Sequence, residues 1–240
     1  PSVTTLFSNV RNFRIRYHCP KEKGYFGVIR RTVFLFLGLF LFGLGIVMTI
    51  KSDLGTMPWD AFHLGVANYM PLTFGEVSQL TGAIIILLSF TMGIKPGWGS
   101  IANMYFIGFF ADRIMLGDWI PIPNHWFFQL AMLLAGVWVV GWGSFFYMSA
   151  AFGTGPRDSF MVGAITKTGW PVWKMRTIIE TTVATIGYLL GGPVGIGSII
   201  IAFTLGPAVQ SAFAITGKRV QDIRHDTLVS KVEKYGNECN

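Results

Sequence analysis

Charge is scarce in this chain. Only 13% of its 240 residues are Asp, Glu, Lys or Arg, against roughly 25% in a soluble domain. The hydrophobic 52% falls in long runs separated by short polar gaps, which excludes an ordinary soluble core and points to a membrane protein. Cysteine is nearly missing: Cys19 and Cys239 lie in polar terminal segments at a spacing that fits no metal motif. Free cytosolic thiols are expected there. Also missing are a Walker motif, a dinucleotide fingerprint, a zinc-metalloprotease helix and any nucleophile–base arrangement. No catalytic residue, cofactor or metal ligand is therefore nominated. The formal charge of +7 gathers at the two ends, beside apolar runs. Orientation in a membrane explains it better than nucleic acid, which is not an expected partner.

Six apolar stretches are long enough to cross a 30 Å hydrocarbon core: residues 32–50, 74–94, 99–116, 126–150, 172–191 and 198–215. The first follows some thirty mostly polar residues, as a retained span does rather than a cleaved leader. Between the first and second, Ser52, Asp53, Gly55, Thr56 and Pro58 break the chain. A short helix then fits from Pro58 to about Met70, with Trp59, Phe62, Val66 and Met70 on its apolar side and Asp60, His63 and Ala67 on another. At roughly 20 Å it is too short to cross.

The break at Leu54-Gly55-Thr56-Met57-Pro58-Trp59-Asp60 returns as Phe152-Gly153-Thr154-Gly155-Pro156-Arg157-Asp158. Gly153, Thr154, Pro156 and Asp158 each stand 98 residues after Gly55, Thr56, Pro58 and Asp60. The same offset pairs Gly38, Gly43 and Gly45 with Gly136, Gly141 and Gly143, and Gly97, Gly99 and Ser100 with Gly195, Gly197 and Ser198. One ungapped register is the mark of duplication. Three spans and one short broken or interfacial helix per copy turn the second copy over. The expected fold is an all-α polytopic membrane protein of six transmembrane helices in two inverted three-helix repeats. The alternative counts the short helices as spans and gives eight, in parallel repeats. Lys and Arg decide for six, with both ends in the cytosol: Lys95, the Arg157–Arg176 region and the tail from Lys218 face in, while the gap from Gly117 to His125 has neither residue and faces out. The expected organisation is a basic cytosolic segment (1–31), a first membrane repeat (32–116), an extracytoplasmic linker (117–125), a second repeat (126–216) and a cytosolic tail (217–240).

Secondary transporters of this plan bind substrate near the midplane, between the repeats and against broken-helix ends. Thr56 and Thr154 are candidate caps of the short helices, and Asp60 and Asp158 sit in their first turns. With His63 and Arg157 these are the candidate binding or gating residues. Glu180, the most interior acid, is a candidate for coupling charge; its alternative is a pair with Arg176 one turn earlier. Glu76, nearer the water boundary, is a second coupling candidate. Asp112 and Arg113 either pair across helices or stay at the outer interface.

The run Phe40–Met48 followed by Lys51-Ser52-Asp53-Leu54-Gly55-Thr56-Met57-Pro58-Trp59-Asp60 resembles the bacterial YczE-like membrane proteins and, more distantly, the YitT-like group. Lys95-Pro96-Gly97-Trp98-Gly99-Ser100 and Gly191-Gly192-Pro193-Val194-Gly195-Ile196-Gly197-Ser198 carry the same likeness, which extends from about Arg31 to Ala214. The resemblance implies an integral bacterial membrane protein. It carries over no catalytic or binding residue. Arg157 stands where the first copy has tryptophan.

The expected function is a secondary transporter or exporter of a small solute in the bacterial cytoplasmic membrane, with alternating access between inverted repeats and proton or cation coupling. A membrane-resident accessory protein for a partner enzyme or pathway is the alternative. An intramembrane enzyme and a channel rank below both. Expected partners are membrane lipids, a small solute, and a second copy or a membrane partner protein.

Overall fold

The structure is a computed structural model that describes residues 25–94, 97–153 and 155–216. The basic N-terminal segment before Tyr25, the tail after Thr216, both cysteines, Lys95 and Thr154 lie outside the described residues. The chain divides into the units Pro1–Arg30 and Arg31–Asn240; all packing below belongs to the second.

The described residues form eight α-helices and no strand: α1 Tyr25–Lys51, α2 Pro58–Ala67, α3 Phe74–Thr91, α4 Trp98–Leu116, α5 Trp126–Ser149, α6 Pro156–Thr168, α7 Val172–Leu189 and α8 Ile196–Ile215. Four of them, α1, α3, α5 and α8, are long and apolar enough to cross a membrane. Phe203 is 77% exposed and Leu87 66%, an outward apolar face suited to lipid rather than water.

The 98-residue register reappears in the helix ends. Pro58 and Pro156 open α2 and α6, Phe74 and Val172 open α3 and α7, and Trp98 and Ile196 open α4 and α8. The α2 and α6 helices have 10 and 13 residues, about 15 and 20 Å. Both are too short to cross the hydrocarbon core.

Close helix crossings explain the glycine pairs. On α1, Gly38 lies against Gly143 and Tyr147 of α5, and Gly45 against Gly136 and Val140. As α1 advances α5 recedes, so the two run antiparallel. A Cβ on Gly45 would stand 2.7 Å from the Gly136 carbonyl oxygen, so only glycine lets these backbones meet. The short helices cross over: α2 packs on α7, and α6 on α3.

The breaks cross over too. The Gly197 N–H donates to the Leu54 carbonyl at 2.7 Å, and the Gly99 N–H to the Phe152 carbonyl at 2.9 Å. These two bonds map onto each other at the same offset. Each gives a partner to an amide in the first turn of α8 or α4, where no intrahelical acceptor exists. Gly55 and Gly153 reach these contacts at φ 114° and 137°, a region that side chains rarely enter.

Candidate functional site

A cavity of ≈ 590 Å³ opens where the two halves meet, and all eight helices contribute to its wall. Its lining keeps the register. Trp59 and Arg157, His63 and Met161, Ser78 and Arg176, Gly82 and Glu180, and Asn103 and Ile201 are pairs at the 98-residue offset, and both members of each line the cavity. The wall is thus paired in sequence register and asymmetric in chemistry. Its arginines and acids, Arg157, Asp158, Arg176 and Glu180, all come from the second half.

One register pair touches itself. The Arg157 guanidinium lies over the Trp59 ring, 4.9 Å from its centroid. The first turns of α2 and α6 therefore converge at the cavity. Arg157 also approaches Asp60 at 3.9 Å, beyond hydrogen-bond reach. Nearby, a Cβ on Gly155 would stand 3.6 Å from both Asp158 Oδ2 and Tyr147 Oη, and 3.7 Å from Asn103 Oδ1. The Tyr147 hydroxyl itself donates to the Gly153 carbonyl at 3.1 Å.

Behind Arg157 lie two buried polar side chains. Asp60 is 0% exposed and His63 1%, and neither has a hydrogen-bond partner among the described residues. The rings of Trp59, Phe62 and Phe74 surround His63. Burial pushes the Asp60 carboxyl up to about 6, with Arg157 opposing. Burial, and secondarily Arg157, pulls the His63 imidazole well below its ordinary value, so it is neutral at pH 7. Burial also lowers Arg157, while Asp60, Asp158 and Glu180 pull the other way.

The structure thus brings together Asp60, His63, Arg157, Asp158 and Glu180 around one cavity. It adds a direction to one expectation and corrects another. The polar side of α2, with Asp60 and His63, is the buried one, while Trp59, Phe62 and Val66 are only half buried and Met70 is exposed. Periodicity assumes water outside, which does not hold among helices this apolar. Nor does Thr56 cap α2. Met57 holds the cap position without a side-chain bond, and the buried Thr56 hydroxyl donates to the Met57 and Pro193 carbonyls at 3.4 Å. Pro193 also accepts the Thr56 N–H at 3.0 Å, drawing the residue toward the turn before α8.

Glu180 lines the cavity but pairs with Arg176 at 2.9 Å, its side chain 40% exposed. Glu76 closes a capping box with Thr73 at the start of α3 and is outside the cavity wall. Asp112 pairs across helices, accepting from the Thr73 hydroxyl and from the Gly75 N–H. Arg113 stays on its own helix, over Phe109. Sequence reasoning missed Asn103 and Tyr147, neutral side chains on helices that read simply as spans. It also missed the Trp59–Arg157 contact, whose signal was available in the register.

A family described as being of unknown function, DUF6198, matches residues 29–213. The chain is 35% identical over 183 residues to the Bacillus subtilis protein described as uncharacterized membrane protein YczE, covering 75% of this chain and 83% of that one. It is 30% identical over 176 residues to an uncharacterized protein of Haemophilus influenzae, covering 73% and 80%. A more distant likeness, 23% identity over 170 residues covering 68% and 83%, joins it to Bacillus subtilis YyaS. No solved structure matches.

Proposed function

The chain belongs to the DUF6198 family, and we propose that this membrane protein is a secondary transporter or exporter of a small solute. Its cavity is exposed alternately to the two sides of a bacterial cytoplasmic membrane. The spanning helices are α1, α3 and α4 in one half and α5, α7 and α8 in the inverted other; α2 and α6 are the broken elements. The observation that carries the reading is the cavity between the halves, with buried polar groups beside it. This is where transporters built from inverted repeats hold their substrates.

The sidedness of the contacts supports six spans. Lys51–Asp118 at 2.9 Å, Leu54–Gly197 and Asn68–Leu190 join chain ends that six spans put on the outer side. Phe152–Gly99 and Lys167–Thr91 join ends that they put on the inner side. With both termini in the cytosol, Cys19 and Cys239 in intact spheroplasts are expected to resist a membrane-impermeant maleimide and to react after permeabilisation. A cysteine introduced by Asn124→Cys is expected to react from outside. Labelling of either natural thiol in intact cells would exclude the orientation.

Solute profiling in reconstituted vesicles, with and without a proton gradient, tests the function; no gradient-dependent flux across a broad panel would count against it. Glu180→Gln is expected to slow flux by less than about fivefold, the scale of one exposed i,i+4 pair, and to keep its gradient dependence. Loss of that dependence would give Glu180 the coupling role.

A further inference from the structure

We propose that Arg157 is the substrate clamp of this cavity, that its ligand is a small organic oxyanion on an apolar body, and that Asp60 frees the clamp by taking up a proton. The proposal rests on the transporter reading and adds a substrate class and a coupling residue to it.

The guanidinium is held beside an aromatic ring. Its carbon lies 4.9 Å from the Trp59 ring centroid, a cation–π contact that fixes its position. Among the described residues its N–H groups donate no hydrogen bond, and Asp60 at 3.9 Å is too far to accept one. The side chain is 35% exposed and lines the cavity. A flat fork of donors facing a cavity suits a carboxylate or sulfonate. Met104, Ile179 and Leu205 on the same wall suit an apolar body.

Asp60 competes for the same cation. Its two oxygens are buried without hydrogen bonds among the described residues, so when ionised it depends on Arg157. When protonated it no longer does. The elements packed around it bring few other charges. On α2 itself His63 is neutral. From α7, Arg176 and Glu180 cancel in their own ion pair, and Lys174 lies over Trp170. From α6, Asp158 balances one positive charge and Lys167 donates to the Thr91 carbonyl. From α3, Glu76 is held in its cap. The groups at the cavity thus carry one net negative charge with Asp60 ionised and none with it protonated. One proton taken up per anion bound leaves the net charge of the site unchanged. Because burial raises the Asp60 carboxyl to about 6, anion affinity rises as pH falls through that value.

Calorimetric binding to the purified full chain in detergent, at pH 5 and pH 7.5, tests this with probes that share a ring and differ in charge. They are benzenesulfonate and benzoate, benzyltrimethylammonium, and benzyl alcohol. Benzenesulfonate keeps its charge at both pH values, so any change belongs to the protein. The anions are expected to bind about tenfold more tightly at pH 5. The tighter of the two identifies the head group. Arg157→Lys is expected to weaken them by about tenfold or more, as losing a charge-assisted fork does. Asp60→Asn is expected to bind them equally at both pH values. Preference for the quaternary ammonium, no anion binding, or a pH slope that survives Asp60→Asn would each overturn the proposal. The wild-type selectivity needs no variant to fold. Vesicle flux with the same probes separates the two readings. Anion binding without flux keeps the clamp and removes the transporter; flux of the cation alone does the reverse.

Discussion

Asp60→Asn is expected to raise the thermal midpoint of the purified protein at pH 7.5 and to leave it nearly unchanged at pH 4.5. Burial moves the Asp60 carboxyl from 3.8 to about 6 in the folded protein. Between these values the folded state holds more protons than the unfolded chain, so stability falls as pH rises through the window. Above about 6 the fold carries an ionised carboxylate that the unfolded chain would solvate. A shift of about two units corresponds to ~3 kcal/mol. Asparagine has nearly the same shape and does not ionise, so it removes that cost where it exists. Thermal unfolding in detergent at the two pH values reads the difference. A variant that is less stable at pH 7.5 would mean that the Arg157 contact repays the buried charge, and Asp60 would then be a structural ion-pair partner. A residue that weakens its own fold at neutral pH, beside a cavity, is expected where function requires it.

Much of this architecture was legible because duplication prints twice. Pro58 and Pro156 marked both short helices, and the structure opens α2 and α6 there. Gly38, Gly45, Gly136 and Gly143 marked the duplication by their register; the structure adds that they form one crossing. What sequence could not supply was the direction each side chain faces. The α2 periodicity put Asp60 and His63 on the side away from the apolar face, which in water would be the outside. In a membrane protein with an internal cavity the polar side turns inward, and a hydropathy pattern does not separate the two cases. Thr56 failed as a cap for a different reason. A threonine before Pro58 has the cap composition, but its backbone and hydroxyl are drawn to Pro193, 137 residues away. Glu180 looked interior because its neighbours are apolar; Arg176 one turn earlier brings it into an ion pair, the alternative that spacing already held.

Joining Leu54 to Gly197 by a disulfide is expected to abolish at least about 90% of flux, and a thiol reductant to restore it. The two residues belong to different halves, and a Cβ on Gly197 would stand 2.9 Å from the Leu54 Cβ. A relaxed disulfide places these atoms about 3.8 Å apart, so Leu54→Cys with Gly197→Cys closes after a shift of about 1 Å, in a background with Cys19→Ser and Cys239→Ser. The mirror pair, Phe152→Cys with Gly99→Cys, starts from 3.0 Å. Each site includes one backbone hydrogen bond from a helix first turn to the break of the other half, and the first also has the Thr56–Pro193 bond. Such a bond is worth about 0.5–1.5 kcal/mol net, because water replaces it when it opens. Both bonds are formed here. Alternating access requires one to part while the other holds, so a covalent lock on either must stop the cycle. Single-cysteine variants control for the substitutions themselves. If both oxidised proteins keep their flux, the halves do not separate at these contacts. The mechanism would then lose the hydrogen bonds proposed as its gates, while the cavity, the Arg157 clamp and the Asp60 test stand on their own measurements.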